Sequence, residues 1–361
     1  MSRLIKVAID ISPVKTRHKV RGVGMYTQRL VEALQRIGES ENQRIRIDAF
    51  DFSHQPLAIS HQRFDLVHYP YFDLFLLTLP LKKMAKTVVT IHDVTPLVFP
   101  EHYPPGIKGK IKFLIQKFSL QNTAAVITDS HNSKKDIKMY LGYPEEKISV
   151  VYLAPGEKFK KMPTGSWQLA TQRKYSFPDQ FALYVGDVNW NKNILGLVKA
   201  CKKIKVPLVI VGKQAVQEDF DRQHIENQSL VQLIERYGKD SEVKKLGFVS
   251  EEDLVKIYNL ATAYCQPSFY EGFGLPVLEA MACGCPVVAA KTSSLPEICG
   301  EAAILIDPKD YNDIARGLKK VISDKMTRDK LRKNGFVQAK KFSWRKTALE
   351  TLKVYERVAK K

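Results

Sequence analysis

Ser268-Phe-Tyr-Glu-Gly-Phe-Gly-Leu-Pro-Val-Leu-Glu-Ala-Met-Ala-Cys-Gly284 sets two carboxylates, Glu271 and Glu279, around a glycine turn that opens a helix. Gly272 and Gly274 let the backbone approach an anion closely. Pro276 suits a first helical position because its missing N–H would be unpaired there, and Gly284 suits a helix stop. The stretch reads as a strand end, a tight turn and a short helix whose free N–H groups aim at phosphate. Glu279 lies about one turn inside that helix, where it would repel phosphate but can accept hydrogen bonds from sugar hydroxyls. A ligand carrying both phosphate and a polyol accounts for the two acids better than phosphate alone.

Outward from this stretch, strand-like runs alternate with helical ones along the whole chain, which argues for α/β architecture with parallel sheets. The first half supplies Leu4–Ile9, Arg44–Ala49, Leu66–His68, Thr87–Ile91, Ala125–Thr128 and Ser149–Tyr152. The second supplies Ala182–Val185, Leu208–Val211, Lys244–Leu246, Ala263–Cys265, Val287–Ala289 and Ala303–Ile306. Between them Lys158–Pro178 has no clear period and carries Pro163, Gly165 and Pro178. The expected division is therefore a domain over 1–160, a linker over 161–178 and a second domain over 179–342. Capping boxes are expected at Ser133-Lys-Lys-Asp136 and Ser250-Glu-Glu-Asp253, and Ser343 restarts an amphipathic helix near the C-terminus. Open α/β sheets bind ligands beyond the carboxyl ends of their strands, and the unusual residues all fall there. Gly22-Val-Gly24, His92-Asp93 and Ser130 follow strands of the first half; Gly186–Asn193, Gly212-Lys213, Phe248-Val249 and Tyr270-Glu271 follow strands of the second.

The opening segment resembles the E-x7-E signature of retaining GT-B glycosyltransferases of the large family 4 group, and the likeness extends over nearly the whole chain. It implies a GT-B fold, two Rossmann-like doubly wound domains facing an interdomain cleft. Glu279 then binds the nucleotide ribose, Glu271 contacts the transferred sugar, and the amides at Phe273–Leu275 meet the diphosphate. The C-terminal helix, 343–361, is expected to cross back onto the first domain. Tyr184-Val-Gly-Asp-Val-Asn-Trp-Asn-Lys-Asn193 is similar to the family's diphosphate loop, with Gly186 at its turn, Lys192 balancing the leaving phosphates and Asn193 after it. The arginine common after that glycine is replaced by Asp187, a loss of kcal/mol size unless compensated, and Lys213 is the candidate substitute. By the same resemblance Val249 and Leu254 border the base, and His92, in Thr-Ile-His-Asp, approaches the transferred sugar.

Arg21-Gly-Val-Gly-Met-Tyr26 competes with a dinucleotide fingerprint, but the third glycine is absent and Gln28 stands near its place. Family likeness assigns Gly22, Gly24, Tyr26 and Ser130 to the acceptor side. Asp219-Phe220-Asp221 has a metal-binding D-x-D form but lies in a polar segment, where surface charge explains it, and GT-B chemistry needs no metal or cofactor. Cys283 and Cys285 form a C-x-C without a second cluster at zinc spacing.

The net charge of +19 concerns partners rather than fold. Lys15, Arg17, Lys19 and Arg21 crowd the loop after the first strand, and Lys108, Lys110, Lys112 and Lys117 alternate with Ile111, Phe113, Leu114, Ile115 and Phe118. That basic amphipathic helix suits either an anionic membrane surface or an ordinary domain helix with a solvated lysine face. No recognised nucleic-acid module accompanies the charge, so nucleic acid is not an expected partner. No run reaches the ~20 apolar residues of a membrane span, and no export signal is recognised. A cytoplasmic location is expected, with room for peripheral attachment at the inner face of a membrane. The expected donor is GDP-mannose, with a UDP-hexose as alternative. The expected acceptor is a saccharide or lipid-linked saccharide, and a non-catalytic sugar-nucleotide sensor is the rival that Asp187 keeps open.

Overall fold

The computed structural model describes residues 4–15, 22–40, 45–52 and 64–360, and the chain divides into two compact units. Unit 1 comprises Met1–Leu153 with Phe342–Lys361, and unit 2 comprises Ala154–Lys341.

Unit 1 is built on six parallel strands: β1 Ile5–Asp10, β2 Ile45–Phe50, β3 Leu66–Tyr69, β4 Lys86–Thr90, β5 Ala125–Thr128 and β6 Ile148–Val150. They lie in the order β2-β1-β3-β4-β5-β6. Val7–Ile9 of β1 and Ala125–Ile127 of β5 are buried on both faces, as continuous apolar runs in a helix-covered parallel sheet must be. The last helix, Trp344–Lys360, packs against the helix Gly22–Ser40 within this unit. It buries Trp344, Ala348, Leu352, Tyr355 and Val358, a three-to-four-residue period that makes one apolar face. Thr347 Oγ1 donates to the Tyr152 carbonyl (2.7 Å) and Arg357 to Ser149 Oγ (2.6 Å), tying the helix beside β6.

Unit 2 repeats the plan with β7 Ala182–Val185, β8 Leu208–Val211, β9 Val243–Leu246, β10 Ala263–Gln266, β11 Val287–Ala290 and β12 Ala303–Ile306, all parallel. Their order is β12-β11-β10-β7-β8-β9. Chain order therefore reverses between β7 and β10. Loops leaving adjacent strands at such a switch point diverge to opposite faces and leave a crevice where ligands bind in open α/β sheets. At its rim, the loops after β7 and β8 nearly touch: a Cβ on Gly212 would stand 2.1 Å from the Gly186 carbonyl oxygen, so only glycine fits.

Several expectations need correcting. Part of the expected linker, 161–178, is a helix, Trp167–Tyr175, that packs on the helix Glu251–Leu260 of unit 2. Only Thr171 of that helix is buried, so no apolar stripe marks it in the sequence. The Ser250 cap forms, its side chain accepting from the Asp253 amide (3.2 Å). The Ser133 box does not: Ser130 caps the helix His131–Asp136 by accepting from the Ser133 amide (3.0 Å), which leaves Ser133 buried inside the first turn. Gly22 and Gly24 lie not in a loop but in the first turn of Gly22–Ser40. Arg17, Lys19, Arg21 and Arg44 fall outside the described residues.

Candidate active site

In unit 2 the switch point is bridged by an ion pair. The loop after β7 ends in a short 3-10 turn, Trp190–Lys192, and the Lys192 ammonium reaches the Glu271 carboxylate that follows β10, at 2.9 Å to Oε1 and 2.8 Å to Oε2. Glu271 is further fixed by Gln266 Nε2 and Ser268 Oγ, each donating to Oε1 at 2.7 Å. The Tyr264 hydroxyl donates to Gln266 Oε1, which leaves that amide's NH2 group to face the carboxylate. Ser293 Oγ accepts from the Glu271 amide (2.8 Å), and Ser294 Oγ donates to the carbonyls of Glu271 and Phe273 (both 2.9 Å). One carboxylate oxygen thus takes three hydrogen bonds, a preorganised negative charge with a cation held against it.

Gly274, with φ +99°, opens the helix Leu275–Ala282, and Pro276 occupies its first turn. A Cβ at Gly274 would meet Leu295 Cδ2 at 2.7 Å, so the turn has no room for a side chain on that side. Glu279 is buried one turn further on and accepts a hydrogen bond from the Tyr258 hydroxyl (3.2 Å). Gly284, with φ +73°, follows the helix as its stop. Asn193, in the left-handed region, donates its amide to the carbonyls of Pro267 (3.1 Å) and Pro308 (2.7 Å), so its side chain locks the loop's return. Asn191 does the same toward the Tyr270 carbonyl (3.0 Å), and the rings of Trp190 and Phe269 lie 4.9 Å apart, closing the two loops on each other. Gly186 turns the chain after β7, and Gln214 Oε1 accepts from the Val188 amide (2.6 Å). Lys213 is exposed at the end of β8. Val249 and Leu254 flank the Ser250 cap beyond β9, beside an exposed Phe248.

Unit 1 carries a second cluster past the ends of β4 and β5. His92 Nδ1 lies 2.6 Å from Asp129 Oδ2, and the buried Tyr26 ring meets the imidazole edge-on at 4.7 Å. Tyr26 in turn bonds Thr90 Oγ1 (3.1 Å), which bonds His68 Nε2 (2.9 Å), whose Nδ1 meets the Tyr355 hydroxyl (2.6 Å) on the C-terminal helix. Burial, with nearby His92, pushes His68 down to about 3, so it is a neutral structural link. Burial also pulls His92 down, but the charge and hydrogen bond of Asp129, aided by Asp93, more than offset it and hold the imidazole above its ordinary 6.5. The His92 proton therefore stabilises unit 1 below pH 6.5, and that contribution is lost as pH rises through the elevated value. Burial also raises the Asp129 carboxyl, so the charged pair is lost again in acid when Asp129 is protonated. Replacing Asp129 by Asn removes the main opposition to burial: in an NMR titration the His92 imidazole then protonates below its ordinary value rather than above it. An unchanged titration would show that another group holds the proton.

Sequence motifs find Glu271, Glu279, Lys192 and His92 but not the groups that hold them. Gln266 is hidden in a strand, Ser293 and Ser294 come from the separate loop after β11, and Asp129 belongs to none of the motifs. Of the D-x-D acids, Asp221 serves locally, accepting from the Gln223 and His224 amides. Among the described residues no cluster of three or more His, Cys, Asp or Glu side chains is arranged to hold a metal. All five cysteines are buried and unpaired with one another.

Two Rossmann-like sheets in one chain, with a carboxylate–lysine pair at the switch point of the second, define a GT-B glycosyltransferase. Residues 26–154 match the model described as Glycosyltransferase Family 4, and residues 170–338 match Glycosyl transferases group 1. The chain belongs to this family. It is 32% identical over 284 residues to O-antigen chain mannosyltransferase B of Escherichia coli, covering 76% of this chain and 71% of that protein. It is 28% identical over 284 residues to the serotype-specific mannosyltransferase WbdA of Escherichia coli, a match that spans 34% of that longer protein and 76% of this chain. Among solved structures, sucrose-phosphate synthase from Thermosynechococcus elongatus shares the fold with a TM-score of 0.74 at 19% identity, over 98% of this chain and 99% of that one. Anabaena HepE, solved in complex with UDP and glucose, does so with a TM-score of 0.72 at 17% identity, over 98% of this chain and 100% of that one.

Proposed function

We propose that the protein transfers mannose from GDP-mannose to a hydroxyl of a saccharide or lipid-linked saccharide, retaining the anomeric configuration and using no metal. The observation that supports this most is the Lys192–Glu271 pair at the unit 2 switch point, beside a helix N-terminus that begins at Leu275. In the proposed reaction the bond between the anomeric carbon and the diphosphate oxygen breaks and the bond to the acceptor oxygen forms on the same face. The acceptor proton passes to the departing diphosphate. Lys192, Lys213 and the amides that open the helix at Leu275 offset the charge that develops on that diphosphate, the work a divalent ion does elsewhere. Glu271 positions the sugar, Glu279 takes the ribose hydroxyls, and Val249 and Leu254 line the base with Phe248 available to stack on it.

Mannose is chosen because two relatives aligned over 76% of this chain, O-antigen chain mannosyltransferase B and WbdA, are named as mannosyltransferases. A UDP-hexose is the second reading, favoured by the UDP and UDP-glucose complexes of HepE. Incubating the enzyme with GDP-mannose or UDP-glucose and an oligomannoside separates them. GDP release matched to chain extension, with no UDP release and no loss on chelation, is expected. Extension from UDP-glucose alone would replace the donor, and release of neither nucleotide would leave a binding protein.

A further inference from the structure

The helix Gly106–Gln121 rests on unit 1 through Gly109, Gln116, Ser119 and Leu120. Gln116 Oε1 accepts from the Leu79 amide (3.0 Å) and its Nε2 donates to the Leu79 carbonyl (3.0 Å), while Ser119 Oγ donates to the Pro80 carbonyl (2.7 Å). These bonds lay residues 78–80 against the inner side of the helix. The outer side should then be polar, yet it carries Ile107, Ile111, Leu114 and Phe118, which are 80%, 55%, 65% and 66% exposed. Their spacing of four, three and four places all of them on one stripe. The strap that packs under the helix adds exposed Leu77, Leu81 and Met84.

Charge decides what meets this ridge. Between Gly106 and Gln121 there are four lysines and no acid, and between Leu74 and Lys86 three lysines and no acid. Lys108, Lys110 and Lys82 are exposed. The neighbouring Asp73 is occupied by the Phe75 and Leu76 amides and the Tyr71 hydroxyl. A second copy of this chain would set lysine against lysine along the stripe. Side chains this exposed form a ridge rather than a groove, a shape suited to a deformable apolar phase. We propose that this helix, with the strap 76–84, docks unit 1 on an anionic bilayer surface, the apolar stripe entering the headgroup boundary and the lysines meeting lipid phosphates. The inference stands apart from the choice of sugar donor. Among the described residues no helix is long and apolar enough to cross a membrane.

The test is flotation of the full chain with vesicles of phosphatidylcholine alone and of phosphatidylcholine mixed with phosphatidylglycerol, at low and high salt. The protein is expected to float with the anionic vesicles at low salt and to remain at the bottom with the neutral ones. Leu114→Glu combined with Phe118→Glu should cut the bound fraction at least about tenfold, and Lys108→Glu with Lys110→Glu should do the same. Because these side chains are exposed, the melting curve should not move, which keeps a negative result interpretable. Wild-type protein that never floats, or a Leu114/Phe118 variant that floats like wild type, overturns the proposal. Wild-type dimers in sedimentation velocity that the same variant disperses would instead make the ridge a self-association face.

Discussion

Lys192→Ala should lower both the stability of unit 2 and the rate of transfer, and the two losses should separate in a double variant. The Lys192 and Glu271 side chains are only 22% and 10% exposed, so removing the cation strands a buried carboxylate. Breaking one side of such a pair costs about 3–5 kcal/mol, whereas replacing both partners by neutral groups of similar shape is often near neutral. Gln266 and Ser268 still donate to Glu271 in the single variant, which places the expected loss at the lower end of that range. Lys192→Met with Glu271→Gln should therefore regain most of the melting temperature. Its transfer rate should stay on the order of 10²-fold or more below wild type, because in the proposed reaction the charges themselves act on the donor. If the double variant regains rate along with stability, the pair is a strut between the loops after β7 and β10 and nothing more.

Much of the fold is visible in the sequence because parallel strands buried on both faces read as short unbroken apolar runs. The runs Ala182–Val185 and Leu208–Val211 begin and end where the observed strands β7 and β8 do, and so does Ala303–Ile306 with β12, although at the sheet edge only Ile306 of that run is buried. The turn from Glu271 to the helix at Leu275 is visible as well, since glycine, proline and spaced acids each have one local reason to be there. What escapes a sequence reading depends on contacts distant along the chain. Ser293 and Ser294 reach Glu271 across more than twenty residues of chain, so no spacing connects them. Tyr26 looks like part of a glycine loop but packs on His92 after a helix has begun at Gly22. The cap at this helix is misread locally: Ser133-Lys-Lys-Asp136 has the spacing of a capping box, whereas Ser130, with no acid three residues on, is the residue that accepts from the Ser133 amide.

Glu279→Ala should weaken binding of GDP without disturbing the fold around it. Glu279 is buried and accepts from the Tyr258 hydroxyl, and in the proposed reaction its carboxylate also accepts from the ribose hydroxyls of the donor. A hydrogen bond to a charged group contributes about 1.5–3 kcal/mol, which corresponds to roughly ten- to a hundredfold in affinity. Tyr258→Phe removes the neighbouring hydroxyl but keeps the acid, so it should cost far less. Calorimetric titration of GDP into wild type, Glu279→Ala and Tyr258→Phe is therefore the measurement to make. Saturable binding to wild type that is at least about tenfold weaker in Glu279→Ala alone is the result expected of a sugar-nucleotide site at this turn and helix. No binding of GDP, UDP or ADP to wild type, or the same affinity in Glu279→Ala, would contradict it.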